Sequence, residues 1–237
     1  MLNSGDTILN YDMLNIMARL ARVILPGYPH HITQRGNRLQ DVFFKEDDYL
    51  YYLELLKEWC HQQSVEVWSY CLMTNHVHLI VMPKKGSNLS KAIGEVHRRY
   101  TRMINFREKW RGYLWQGRFA SFPMQKAWLA RAMAYVELNP IKAGLVKNAW
   151  DYQWSSVHAH LSGYDKNGLV EVNKVQAIFG DWKNYLLNAQ GLPMEEIEAH
   201  NRIGRPLGNN RFLKEAGKIT GRDLIKKKPG PKPKKTN

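Results

Sequence analysis

Cysteine is scarce in this chain: 237 residues contain two, Cys60 and Cys71. Cys71 sits in an apolar strand-like run and Cys60 at the end of a helix-like one, so no disulfide framework is implied. No apolar run reaches the roughly 18 residues of a membrane span, so no membrane partner is expected. The first residues lack the basic-then-apolar pattern of a secretion signal, which predicts a cytoplasmic location. No internal repeat is present. Acidic residues are also few, 21 Asp and Glu against 35 Lys and Arg, for a net charge of +14. That excess points to nucleic acid or another anionic surface. A hydrophobic content of 44% is enough for one substantial packed domain with an extension.

The most informative stretch is Asn75-His76-Val77-His78-Leu79-Ile80-Val81-Met82. Long apolar and β-branched residues ended by Pro83 and Gly86 read as a strand. Alternation puts His76 and His78 on one face, about 7 Å apart along the strand, with Ile80 and Met82 continuing that face. Val77, Leu79 and Val81 line the other. A strand apolar on both faces is packed between layers. Two imidazoles at its mouth have two readings: a hydrogen-bonded pair at a strand start, or a grip on a divalent ion.

The segment from Trp128 to Asn139 is rich in Ala, Leu and Met and reads as a helix. Tyr135 and Asn139 stand at i and i+4, hence on one face. Pro140 disfavours the α region for Asn139, which predicts that Asn139 ends the helix.

The blocks Leu72-Met73-Thr74-Asn75-His76-Val77-His78-Leu79-Ile80, Trp115-Gln116-Gly117-Arg118-Phe119 and Tyr135-Val136-Glu137-Leu138-Asn139-Pro140-Ile141-Lys142-Ala143-Gly144-Leu145-Val146 together resemble the HUH single-tyrosine transposases, in particular the REP-associated tyrosine transposases. The resemblance spans roughly Arg19 to His160. It implies a metal-dependent enzyme that cuts and rejoins single-stranded DNA beside hairpins, remaining attached to the 5′ side through a tyrosine. On that reading Tyr135 is the nucleophile, and His76, His78 and Asn139 hold Mg²⁺ or Mn²⁺. Tyr100, on a basic helix, is the next candidate nucleophile. The partner is single-stranded or hairpin DNA, with the protein acting as a monomer or a homodimer. Two other classes remain open: a hairpin-binding regulator without catalysis, and a hydrolase using water in place of tyrosine.

Taken in order, the chain predicts an N-terminal extension over 1–17, with Met13 and Met17 as alternative starts. A catalytic domain covers 18–162, a helical extension 163–225 and a low-complexity basic tail 226–237. His30 and His31 open a first strand over Tyr28 to Arg35; as neighbours they face opposite ways, and both read as structural. Glu46 to Gln62 is an amphipathic helix. Val65 to Met73 is a strand with Val65, Val67, Ser69 and Cys71 on one face, joined to the histidine strand by a tight turn at Thr74-Asn75. Leu89 to Phe106 is a second helix, and Gly112 to Met124 alternates as a last strand. Strand, helix, strand, strand, helix, strand predicts an α+β, ferredoxin-like antiparallel sheet with helices on one face. Arg98, Arg99, Arg102 and Arg107 gather on the second helix as a candidate phosphate track, with Arg118 beyond it. Trp110, Tyr113, Trp115 and Phe119 are interleaved with arginines in a way that suits single-stranded DNA, while residue by residue each also reads as a core-packing aromatic. In the extension, Val172 to Asn188 and Met194 to Arg202 read as helical, and Asn210 to Ile225 as a pair broken at Gly217 or Gly221. Lys232 lies in a proline-stiffened segment resembling a degenerate AT-hook, suited to a minor groove.

Overall fold

The computed structural model describes residues 21–225. Four strands, β1 (His30–Arg35), β2 (Val65–Met73), β3 (His76–Pro83) and β4 (Ala120–Pro123), form one antiparallel sheet in the order β2-β3-β1-β4. Helix α1 (Glu46–Gln62) joins β1 to β2, and α2 (Leu89–Arg107) joins β3 to β4. This is the ferredoxin-like order expected. Asn88 starts α2 by accepting from Lys91 N at 2.9 Å, satisfying one free amide of the first turn. At α1 the direction is reversed: Asp48, in the first turn, accepts from the amides that precede the helix, Phe44 N at 2.8 Å and Lys45 N at 3.2 Å.

Helices α1 and α2 lie on one face, where Tyr52, Leu56, Ile93 and Val96 bury against Val77, Leu79 and Val81. Each such side chain contributes about 1.5–3 kcal/mol by leaving water. The opposite face is equally apolar, with Trp68, Cys71, Ile80 and Phe122. It is covered by α3 (Leu129–Glu137) and by the extension, through Trp182, Leu186 and Ile197. The expectation of helices on one face therefore holds for α1 and α2, while the tyrosine helix takes the other. A sheet apolar on both sides requires that second layer.

Three local expectations are corrected. A bulge between Val67 and Ser69 shifts the β2–β3 register. Val65 and Val67 join the α1 side, but after the bulge Tyr70 and Leu72 do so, and Cys71 turns to α3. Strict alternation across β2 fails because the inserted residue reverses the faces. The last strand is limited to Ala120–Pro123, since Gly112 and Gly117 adopt φ of +99° and +66°, which break an extended run. Asn210 to Thr220 is one helix, α9, ended at Gly221 and continuous through Gly217.

The remaining helices are α4 (Asn139–Lys142), α5 (Val157–Ser162), α6 (Val172–Phe179), α7 (Trp182–Ala189) and α8 (Glu195–Ile203). Among the described residues no helix is long and apolar enough to cross a membrane. The expected N-terminal extension, and the tail with Lys232, lie outside the described residues.

Candidate active site

Strands β1 and β3 pair with Arg35 opposite His76, Thr33 opposite His78 and His31 opposite Ile80. Period-two alternation places His31, Thr33 and Arg35 on the same face as the two histidines. Helix α3 crosses that face. The result is a cleft of about 670 Å³ whose walls include His76, His78, Tyr135 and Asn139. The four residues singled out for chemistry thus meet in one place.

Asn139 does not end its helix. Leu138, at φ −87° and ψ −4°, links α3 directly to α4, and Pro140 occupies the first turn of α4. Proline is tolerated there because a first-turn amide has no intrahelical acceptor. Asn139 Nδ2 donates to the Tyr135 carbonyl at 2.7 Å, leaving its Oδ1 for another partner.

Both histidines have one ring nitrogen engaged. His76 Nδ1 lies 2.6 Å from Asn75 Oδ1, and His78 Nδ1 lies 3.0 Å from His31 Nε2. Each leaves its Nε2, the arrangement by which an outer partner fixes the tautomer of a metal-binding histidine. Burial holds both rings neutral: His76 is lowered to about 4 by desolvation and then by Arg35, and His78 is pushed well below its usual range by desolvation and the neighbouring cations. Neutral imidazole is the form that binds a metal. The donor set of two imidazoles and an amide oxygen therefore fits a divalent ion with positions left over. Among the described residues no three His, Cys, Asp or Glu side chains are grouped to hold an ion, so a third protein ligand would come from Asn139.

His31 is not merely structural. It stacks on His78 with ring centroids 5.2 Å apart and meets Tyr135 edge-on at 5.6 Å. Its Nε2 is engaged by His78 Nδ1, which leaves Nδ1 as the second nitrogen of the His31 ring. That buried nitrogen has no partner at normal hydrogen-bond geometry, though the Asn201 amide lies near enough to act on the ring. His30 is structural as expected, accepting from Leu25 N at 3.1 Å.

Tyr135 is only 8% exposed. Desolvation raises its pKa, opposed by Asn201 and the charge of Arg35. Asn201, Glu198 and Arg202 all come from α8 and line the cleft, with Glu198 ion-paired to Lys142. The low-signal extension thus builds one wall of the site.

Of the arginines proposed for DNA, Arg118 lines the cleft. The α2 arginines sit on the far helical layer with carboxylates of their own: Arg98 and Arg99 on Glu95, and Arg107 on Asp48. Arg102 shares that helix. The structure does not bring these four to the cleft. Trp115 and Phe119 are buried in the α1–α2 core, whereas Tyr113 is 84% exposed and Trp110 about half exposed.

Behind Tyr135, on the far side of α3, Glu137 is fully buried. Its Oε1 accepts from Ser156 Oγ at 2.6 Å, His160 Nδ1 at 2.6 Å and Ser69 Oγ at 3.2 Å, and its Oε2 accepts from Trp182 Nε1 at 2.8 Å. Burial alone would raise its pKa; the charge of His160 and the hydrogen bonds from His160, Ser156 and Trp182 more than offset this and depress it. The carboxylate joins α3 to β2, α5 and α7. Glu137→Ala should cost about 3–5 kcal/mol, because buried donors lose their acceptor. Thermal unfolding of the variant measures it. The depressed pKa means that this stability is present above the ordinary carboxylate value near 4.3 and disappears as pH falls through the lower folded value.

A histidine pair on a central strand thus faces a helix-borne tyrosine across a basic cleft. Residues 27–139 match the family profile described as IS200-like transposase. A Haemophilus influenzae protein carrying the provisional name REP-associated tyrosine transposase is 27% identical over 113 residues, covering 43% of this chain and 64% of that protein's length. The fold is similar to that of a solved REP-associated tyrosine transposase bound to a REP hairpin, with a TM-score of 0.54 at 19% identity, over 64% of this chain and 90% of that one.

Proposed function

We propose that this protein is a tyrosine transposase that cleaves and rejoins single-stranded DNA next to a hairpin. The observation that carries the reading is the meeting of Tyr135, His76, His78 and Asn139 in one cleft. Tyr135 Oη attacks the phosphorus of a DNA phosphodiester and gives up its proton. The bond from phosphorus to the 3′ oxygen breaks, and the released 3′ oxygen takes up a proton. The 5′ phosphate stays on Tyr135 as a phosphotyrosine. One phosphodiester is exchanged for another, so attack by a 3′-hydroxyl reverses the step without an energy cofactor.

His76 and His78 Nε2 with Asn139 Oδ1 are the groups that would hold Mg²⁺ or Mn²⁺, which when bound neutralises charge on the phosphate. Asn75 and His31 keep the two rings oriented for that purpose. The remaining cations of the cleft attract the DNA backbone. Exposed Tyr113 and Trp110, beyond Gln116 and Arg118 of the cleft, offer faces on which unpaired bases stack.

The test is incubation of the full chain with an end-labelled hairpin oligonucleotide and Mn²⁺, followed by a denaturing gel. A protein-linked label is expected. Free cut ends would instead identify a water-using hydrolase, and binding with neither product a regulator.

A further inference from the structure

We propose that Arg35 is the catalytic residue that receives the scissile phosphate, its guanidinium donating to the two non-bridging oxygens. The inference rests on the function proposed above and adds a residue to it. Arg35 ends β1 directly opposite His76, and it lines the same cleft as His76, His78 and Tyr135. Directly opposed residues on one face of an antiparallel pair have Cβ atoms roughly 4.5–5.5 Å apart, so the arginine is fixed beside the histidine pair by register.

Charge pairing separates Arg35 from Lys142 and from most of the α2 arginines, and its place opposite His76 separates it from Arg118 and Arg202, which also line the cleft. Lys142 also lines the cleft, with its ammonium 5.8 Å from the centre of the Tyr135 ring, but Glu198 neutralises it. Arg98, Arg99 and Arg107 of α2 hold carboxylates elsewhere. Among the described residues Arg35 makes no ion pair and no side-chain hydrogen bond. Its charge nevertheless acts on His76, His78 and Tyr135 alike. A planar guanidinium with several free N–H groups matches two phosphate oxygens, and it stays protonated throughout. Arg35 makes and breaks no covalent bond; it offsets charge that builds on the oxygens as Tyr135 Oη adds and the 3′ oxygen leaves.

The experiment compares wild type, Arg35→Gln and Arg35→Lys under single-turnover conditions with protein saturating, a labelled hairpin oligonucleotide and Mn²⁺. Mn²⁺ affinity is measured separately without DNA by calorimetry. Arg35→Gln should lower the rate of adduct formation on the order of 100-fold. Its Mn²⁺ affinity should equal or exceed that of wild type, because a repelling cation is gone. Arg35→Lys, keeping charge but not the fork, should fall between the two.

Wild-type adduct formation by Arg35→Gln overturns the proposal. Loss of Mn²⁺ affinity together with the adduct also overturns it, since Arg35 would then act by supporting His76. Arg35→Lys no faster than Arg35→Gln excludes the charge role. In each of these cases wild-type adduct is still seen and the transposase reading stands. No adduct from wild type overturns both.

Discussion

Tyr135→Phe should abolish the covalent adduct and DNA cleavage, while hairpin affinity stays within about two-fold of wild type. Loss of a nucleophile that acts in a catalytic unit costs on the order of 10⁴–10⁶ in rate. The substitution deletes one oxygen and keeps the ring, which meets His31 and His78 edge-on. Those contacts, and hence the cleft, should survive. A denaturing gel measures the adduct and filter binding the affinity. Tyr100 cannot substitute for Tyr135: it is fully buried among α1 and α2, and its hydroxyl donates to the Val42 carbonyl at 2.6 Å. An adduct formed by the Phe variant would therefore require a tyrosine outside the cleft to reach the DNA, and would refute the assignment of Tyr135.

The second large effect is expected at the histidines. His78→Ala should lower Mn²⁺ affinity by at least about 100-fold and remove metal-dependent cutting, with His76→Ala close behind. His78 is the more severe because its ring is also the stacking partner of His31, and its loss leaves a gap under Tyr135. Chelation of the wild type should have the same effect on cutting and be reversed by adding Mn²⁺. Calorimetry provides the readout, and unchanged Mn²⁺ affinity in both variants would dismiss the metal site.

Much of this site is legible in the sequence because its rules are local. Strand periodicity alone puts His76 and His78 on one face, and helix periodicity puts Asn139 one turn from Tyr135. Helix α1 begins at Glu46 and ends at Gln62, as the apolar spacing predicts. The rest depends on pairing between distant segments. His31 cannot be told from His30 until β1 is set in register against β3. Arg35 likewise gains its place only by standing opposite His76. The α2 arginines look like a phosphate track in one dimension, but the sheet separates them from the cleft, and Glu95 and Asp48 claim three of them. The bulge in β2 is invisible to an alternation rule, because each side of it alternates correctly by itself. Glu198, Asn201 and Arg202 carry no motif, and only the docking of α8 makes them part of the site.

That docking also fixes a timetable. A ribosome makes a chain at about 5–20 residues per second, so Asn201 leaves it roughly 3–13 s after Tyr135. Tyr135, both strand histidines and Arg35 exist well before the wall that α8 supplies. A nascent chain paused in that interval would hold the chemical groups in a cleft still open on one side. On the proposed function, nicking by an unfinished chain and nicking by the complete one would be separable in time, with Glu198, Asn201 and Arg202 marking the moment at which the first becomes the second.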